Sequence, residues 1–144
     1  MVGFKISAQT NTPHQTEDVK KTIDQFFNAM RHGDSTSLRM IIAKDAVFFT
    51  TYTSKDGKPM IIKDNPEEFI HAVGTPHEEI WDERIDLLEI KLDGNLASAW
   101  MSYRFYVDET FSHCGVNAMQ FFHDGESWKL FEIADTRRKS DCGN

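Results

Sequence analysis

Residues 80–134 read IWDERIDLLEIKLDGNLASAWMSYRFYVDETFSHCGVNAMQFFHDGESWKLFEIA, and their pattern decides the fold. Apolar and polar residues alternate over long runs, cut at Asp93-Gly94, Asp108-Glu109-Thr110 and Asp124-Gly125-Glu126. Period-two alternation marks half-buried strands, and Asp-Gly is a strong short-range hairpin signal. The stretch therefore predicts four long strands, 80–92, 96–107, 111–123 and 128–134, joined by short turns into an antiparallel meander. Within the first, the alternation slips between Leu87 and Leu88, as a β-bulge would cause.

Upstream of residue 78 the period is helical. Thr16 offers an N-cap, and Val19, Ile23, Phe26, Phe27 and Met30 follow as the stripe of an amphipathic helix. Gly33 stops it, and Asp34 or Ser35 caps a shorter helix carrying Leu38, Ile41 and Ile42. A strand over 46–53, a turn at Asp56-Gly57 and a short returning strand at 60–62 come next. Asn65-Pro66 opens a third helix with Phe69, Ile70 and Val73 facing inward, closed by Gly74 and Pro76. Residues 1–15 read as a flexible arm, 16–139 as one domain and 140–144 as a tail.

The 144 residues suit one domain, and a composition 40% hydrophobic and 12% aromatic supplies a core without a staple. A formal charge of −7 repels polyanions, and the densest basic run, Arg137-Arg138-Lys139, spans three residues, so no nucleic-acid partner is expected. Apolar runs such as Ala46–Phe49 fall far short of a membrane span, and the first residues lack the apolar core of a secretion signal. The two cysteines, Cys114 and Cys142, read as free thiols in a reducing compartment, which predicts a cytoplasmic protein. Metal and cofactor are not expected. No His/Cys/Asp/Glu set has zinc-site spacing, and the nucleotide-loop and nucleophile-elbow motifs are missing.

The element order, together with His113-Cys114-Gly115-Val116-Asn117-Ala118, Asp124-Gly125, Trp128-Lys129-Leu130 and Asp135-Thr136-Arg137-Arg138, resembles a known superfamily. This is the nuclear transport factor 2-like (NTF2-like, cystatin-like) group, in particular its SnoaL-like and putative lumazine-binding bacterial members. The resemblance covers roughly residues 16–139. It implies an α+β cone, with three N-terminal helices packed in the concave face of a strongly curved, mainly antiparallel sheet. It also implies a homodimer. The fold hosts isomerases, dehydratases, cyclases and adaptors alike, so it carries no single chemistry.

Several residues are candidates for a site. His113 and Asn117 lie four apart on one strand and share a face, with Gly115 between them leaving room for a ligand. The pair suits hydrogen bonding, and His113 suits proton transfer near neutral pH; a strand-end histidine tied to a loop is the structural alternative. On the neighbouring strand Ala97, Ala99, Met101, Tyr103, Phe105 and Val107 form an apolar face toward the helices. Trp100 lies on the opposite, mixed face suited to dimerisation. A two-residue loop at Glu109-Thr110 sets His113 opposite Tyr106 on the outer face, whereas a three-residue loop sets Asn117 opposite Tyr103 in the cavity. The resemblance implies that a cavity carboxylate can act as general base, its pKa raised by apolar walls, and Asp135 or Asp86 is the candidate for that role; a surface pair of Asp135 with Arg137 is the structural alternative. Tyr52 is a rim or core aromatic that also suits ligand contact.

Three functions fit this reading. The first is a homodimeric domain binding a small hydrophobic molecule in an apolar cavity, with Asn117, Tyr103, Trp100, Tyr52 and Arg137 as ligand contacts. The second is an isomerase, dehydratase or cyclase using His113 or a cavity Asp for proton transfer. The third is an adaptor acting through its outer sheet face.

Overall fold

The computed structural model describes Gly3 and residues 13–143. Helices α1 (Pro13–His32) and α2 (Ser35–Ile41) come first, followed by β1 (Ile42–Thr53), β2 (Pro59–Asp64) and α3 (Pro66–Gly74). Then β3 (Trp81–Asp93), β4 (Leu96–Val107), β5 (Thr110–His123) and β6 (Trp128–Thr136) complete the chain. One open sheet carries all six strands in the order β2-β1-β6-β5-β4-β3. The β3–β6 meander is antiparallel as expected, β1 adds parallel to β6, and β2 returns antiparallel on β1. The fold is the three-helix α+β cone predicted from sequence.

Local chemistry accounts for the helix ends. Asp34 caps α2 by accepting from Ser37 N at 3.0 Å, and Gly33 turns the chain there at φ 67°. Asn65 caps α3 by accepting from Glu67 N, with Pro66 in the first turn. The first helix begins at Pro13, so Thr16 lies inside it and is not its cap. Most of the predicted arm lies outside the described residues. Val19, Ile23, Phe26, Phe27 and Met30 are all buried, and they meet Ala97, Ala99, Met101, Met119, Phe121 and Leu130 from the sheet. Each of these side chains larger than alanine stabilises the fold by roughly 1.5–3 kcal/mol if fully removed from water.

Irregularities in the ladders bend the sheet and set which side chains face the helices. In β3 the register shifts between Ile85 and Leu87, so Asp86, not the Leu87–Leu88 step, is the bulge. The β4–β5 loop also differs from both expected forms. It is Asp108-Glu109, with Asp108 at φ 56° and held by Ile80 N donating to its carboxylate at 2.9 Å. One extra residue, Ser112, then enters β5, pairing Phe105 with His113, Tyr103 with Gly115 and Met101 with Asn117. Directly paired residues share a face, so His113 and Asn117 both lie on the concave side with Tyr103.

The cysteines correct the sequence reading. Cys114 and Cys142 form a disulfide, so they are not free thiols and the argument from them to a reducing compartment loses its premise. Arg138 and Cys114 exchange two backbone hydrogen bonds of 2.9 Å, and the disulfide then ties the following segment to β5. Among the described residues no helix is long and apolar enough to cross a membrane.

Closing a loop between cysteines 28 positions apart constrains the unfolded chain, for a stabilisation of about 3.6 kcal/mol. Cys142→Ser, or reduction of the native protein, should lower the urea midpoint by a corresponding amount in equilibrium denaturation, and a thiol titration should find no free cysteine before reduction.

Candidate functional site

Between the concave sheet face and the helices lies a cavity of about 350 Å³. Phe26, Met30, Phe48, Phe69 and Ile133 supply its apolar wall. Phe69 links the layers, its ring stacked on Phe26 and edge-on to Phe48, both at 5.9 Å. Polar side chains enter from the sheet. Thr50, Asp135 and Asn117 are consecutive cross-strand neighbours on β1, β6 and β5, and they form one row across the floor.

Glu83, on edge strand β3, completes this floor, and Asn117 Nδ2 donates to its Oε2 at 2.9 Å. Burial in the cavity wall pushes Glu83 up to about 7, against the Asn117 donor and Arg137; the nearby Asp135 charge adds to the rise. Asp135 Oδ2 accepts from Arg137 Nε at 3.2 Å, whereas its Oδ1 is buried without a partner among the described residues. Thr50 Oγ1 donates to Asp64 Oδ2 at 3.2 Å on the β2 side. A carboxyl that titrates near neutrality, in an aromatic pocket and beside a second carboxylate, can accept N–H or O–H donors or move a proton.

A second recess, of about 550 Å³, adjoins the cavity and shares Thr50, Asp64 and Arg137 with it. His113 and Tyr52 line this recess. The His113 ring lies 4.9 Å from Phe105, roughly parallel, and 5.7 Å from Tyr103, edge-on. Burial and the Arg137 charge lower its pKa, as does Lys139, while Asp135 opposes them.

The sequence candidates therefore divide. Asn117, Asp135 and Arg137 meet in the cavity, while His113 and Tyr52 stand in the recess beside it. Tyr103 is buried below them, its hydroxyl donating to the Thr136 carbonyl at 2.6 Å, and burial raises its pKa. Trp100 lies on the convex face, 59% exposed, because the pairing of β4 turns it away from the helices. Asp86 is removed from the cavity too; its bulge sends the carboxylate to Arg104, at 2.6 and 3.1 Å. Glu83 was absent from the candidates, although the alternation Trp81, Glu83, Ile85 places a charge in the inward phase of a strand, which is its signal. Among the described residues no three His, Cys, Asp or Glu side chains are grouped to hold a metal ion.

A family model described as Putative lumazine-binding matches residues 14–131. The chain belongs to this family. Its fold is NTF2-like, as three solved structures illustrate. An NTF2-like protein from Cytophaga hutchinsonii is 13% identical, with TM-score 0.69, covering 86% of this chain and 98% of its own. The β subunit of a putative aromatic-ring-hydroxylating dioxygenase from Novosphingobium aromaticivorans is 11% identical, with TM-score 0.70 over 88% and 90% of the two chains. A putative dehydratase of the NTF2-like family from Streptomyces avermitilis is 14% identical, with TM-score 0.63 over 90% and 100%. At such identities the likeness is one of fold. No curated protein matches the chain.

The raised Glu83 has a consequence for stability. Its folded pKa lies above the unfolded value, so its contribution is fully present below about pH 4.5 and is lost as pH rises through about 7. The lowered His113 contributes with the opposite sign, and does so equally in a Glu83 variant. Melting temperatures of wild type and Glu83→Gln from pH 4 to 8 should therefore diverge in favour of the variant above pH 5; parallel curves would show that Glu83 is not perturbed.

Proposed function

We propose that this NTF2-like domain binds a small, flat, largely apolar molecule between its helices and sheet, with Glu83, Asn117 and Asp135 as polar anchors. The observation that carries this reading is the buried, unpartnered Asp135 Oδ1 on the floor of an aromatic-walled space. A buried acceptor without a donor costs roughly 1–3 kcal/mol, and a ligand N–H or O–H would remove that cost. The cavity volume lies within the usual range of small-molecule sites, which begins at about 300 Å³. A lumazine, the ligand class in the family description, offers ring N–H donors to the carboxylates and carbonyl oxygens to the Asn117 amide.

The convex sheet face supports a homodimer. Leu87, Leu96 and Trp100 are 73%, 48% and 59% exposed on the outer sides of β3 and β4, and a self-complementary sheet face of this kind is most simply covered by a second copy. Native mass spectrometry of freshly purified protein tests both statements. The expected species is a dimer carrying a non-covalent mass per chain, with Trp100→Glu giving monomer. Titration with lumazine should show saturable binding, weakened on the order of tenfold by Asn117→Ala. A ligand-free protein that ignores lumazine and other flat heterocycles would count against the binding reading.

The near-neutral Glu83 favours a second reading, a SnoaL-like isomerase or dehydratase activity in which it acts as general base. A base works best when its pKa lies near the operating pH. Asp135 would stay paired with Arg137, and the phenylalanine wall would exclude water. In deuterium oxide, a bound carbonyl compound with an acidic C–H should exchange that hydrogen catalytically, with the rate following a pKa near 7. Glu83→Gln should abolish the exchange while preserving binding.

A further inference from the structure

The second recess gathers an excess of positive charge in a chain of formal charge −7. Lys55, Arg137, Arg138 and Lys139 line it beside His113, and Asp64 is the carboxylate that lines it with them. Elsewhere the arginines are matched, since Arg31, Arg39, Arg84 and Arg104 each hold a carboxylate within 3.0 Å; within the recess Arg137 holds Asp135 at 3.2 Å. Arg138 differs. Its Nε donates to the Asp141 carbonyl at 3.1 Å, and no carboxylate pairs with its guanidinium among the described residues. Lys55 and Lys139 likewise have no ion-pair partner there. His113 offers a further polar edge, with its Nδ1 engaged by Ser112 Oγ at 3.0 Å and no protein partner at its other ring nitrogen among the described residues.

The backbone that carries the two arginines is held in place. The backbone of Arg138 is fixed by its two hydrogen bonds to Cys114 and by the disulfide beyond it, and Arg137 N donates to the Thr51 carbonyl at 3.3 Å. Lys55 reaches the recess from the β1–β2 turn. Like charges brought together on two separate segments repel one another, so their convergence is favourable when an anion sits among them.

We infer that the recess is a subsite for an anionic group, a phosphate or a carboxylate, on the molecule whose apolar ring fills the adjoining cavity. The two spaces meet at Thr50, Asp64 and Arg137, so one ligand spans both: ring against Phe69 and Phe48, acid group against Arg138 and Lys139. This assignment of ligand class rests on the binding reading above, but the subsite can be tested without the ring.

Sulfate serves as the probe, because its charge is constant between pH 5 and 8. The ring resonances of His113, labelled and assigned in the full-length protein, are titrated with pH in sodium sulfate and in sodium chloride of equal ionic strength. His113 faces Arg137 and Lys139, with Asp135 opposing, and Lys55, Arg138 and Asp64 across the recess. A bound dianion should raise its pKa by about half a unit, equivalent to roughly threefold tighter sulfate binding to the protonated ring. His32 and His71, outside the recess, should be unmoved. Arg138→Ala should cancel the rise, and Lys55→Glu, far from the disulfide in sequence and on another segment, should do the same. A His113 pKa that shifts equally in chloride, or that ignores sulfate, would overturn the subsite. If sulfate shifts His113 while ring compounds fail to bind, the subsite stands and the cavity reading falls; binding of neutral rings with no response to sulfate gives the reverse.

Discussion

The Tyr103 hydroxyl donates to the Thr136 carbonyl across Gly115, and the rest of the site depends on that crossing. Gly115 sits directly opposite Tyr103, and a Cβ there would stand 2.0 Å from the Thr136 oxygen. Only glycine lets the end of β6 press so closely on β5. Val116 N then donates to Thr136 Oγ1 at 2.9 Å, and Arg138 pairs with Cys114. The consequence is positional. Asp135 is set beside Asn117 on the floor and Arg137 at the join of the two spaces, while the following cations turn over the recess. The disulfide holds the far end of the same segment, so a structural bond on one side of β5 steadies charged groups on the other.

Facing is settled by single inserted residues. Without Ser112, His113 and Asn117 would exchange faces with their neighbours, and the cavity would lose the amide that holds Glu83. The Asp86 bulge does the same on β3: it keeps Glu83 and Ile85 inward before the irregularity and Leu88, Ile90 and Leu92 inward after it. Both irregularities lie within a few residues of the site, one beside His113 and the other three positions from Glu83.

This explains why the fold was legible and much of the site was not. Helical stripes, Asn65-Pro66 and the Asp-Gly turns are local signals, readable within a few residues, and together they dictate the element order. The face of His113 depended instead on an insertion one residue long, which alternation alone does not locate; the turn lay one residue earlier than expected and Ser112 restored the phase. Trp100 was legible as outward-facing and still suggested a ligand contact only through its aromatic character. Glu83 could be placed inward by alternation, but nothing in the sequence says that Asn117, 34 positions later, would be its donor. The disulfide was missed for the same reason. A separation of 28 residues says nothing of the bridge that brings Arg138 and its neighbours back to Cys114.

The distribution of charge carries the argument from structure to function. A domain selected for stability alone would place leucine or methionine at 83 and 135, since each buried carboxylate loses hydration that one hydrogen bond only partly replaces. Here Glu83 keeps a single amide donor and Asp135 leaves an oxygen unpaired among the described residues, while the adjoining recess sets Lys55, Arg137, Arg138 and Lys139 against Asp64 alone in its lining. Neither arrangement lowers the energy of the isolated chain, and the two lie side by side, acceptors on the floor and donors in the adjoining recess. Local departures from the rules of stability concentrate where a protein meets its ligand. The ligand proposed above would match this arrangement, with N–H or O–H donors at its buried end, an apolar flat body, and negative charge toward the recess.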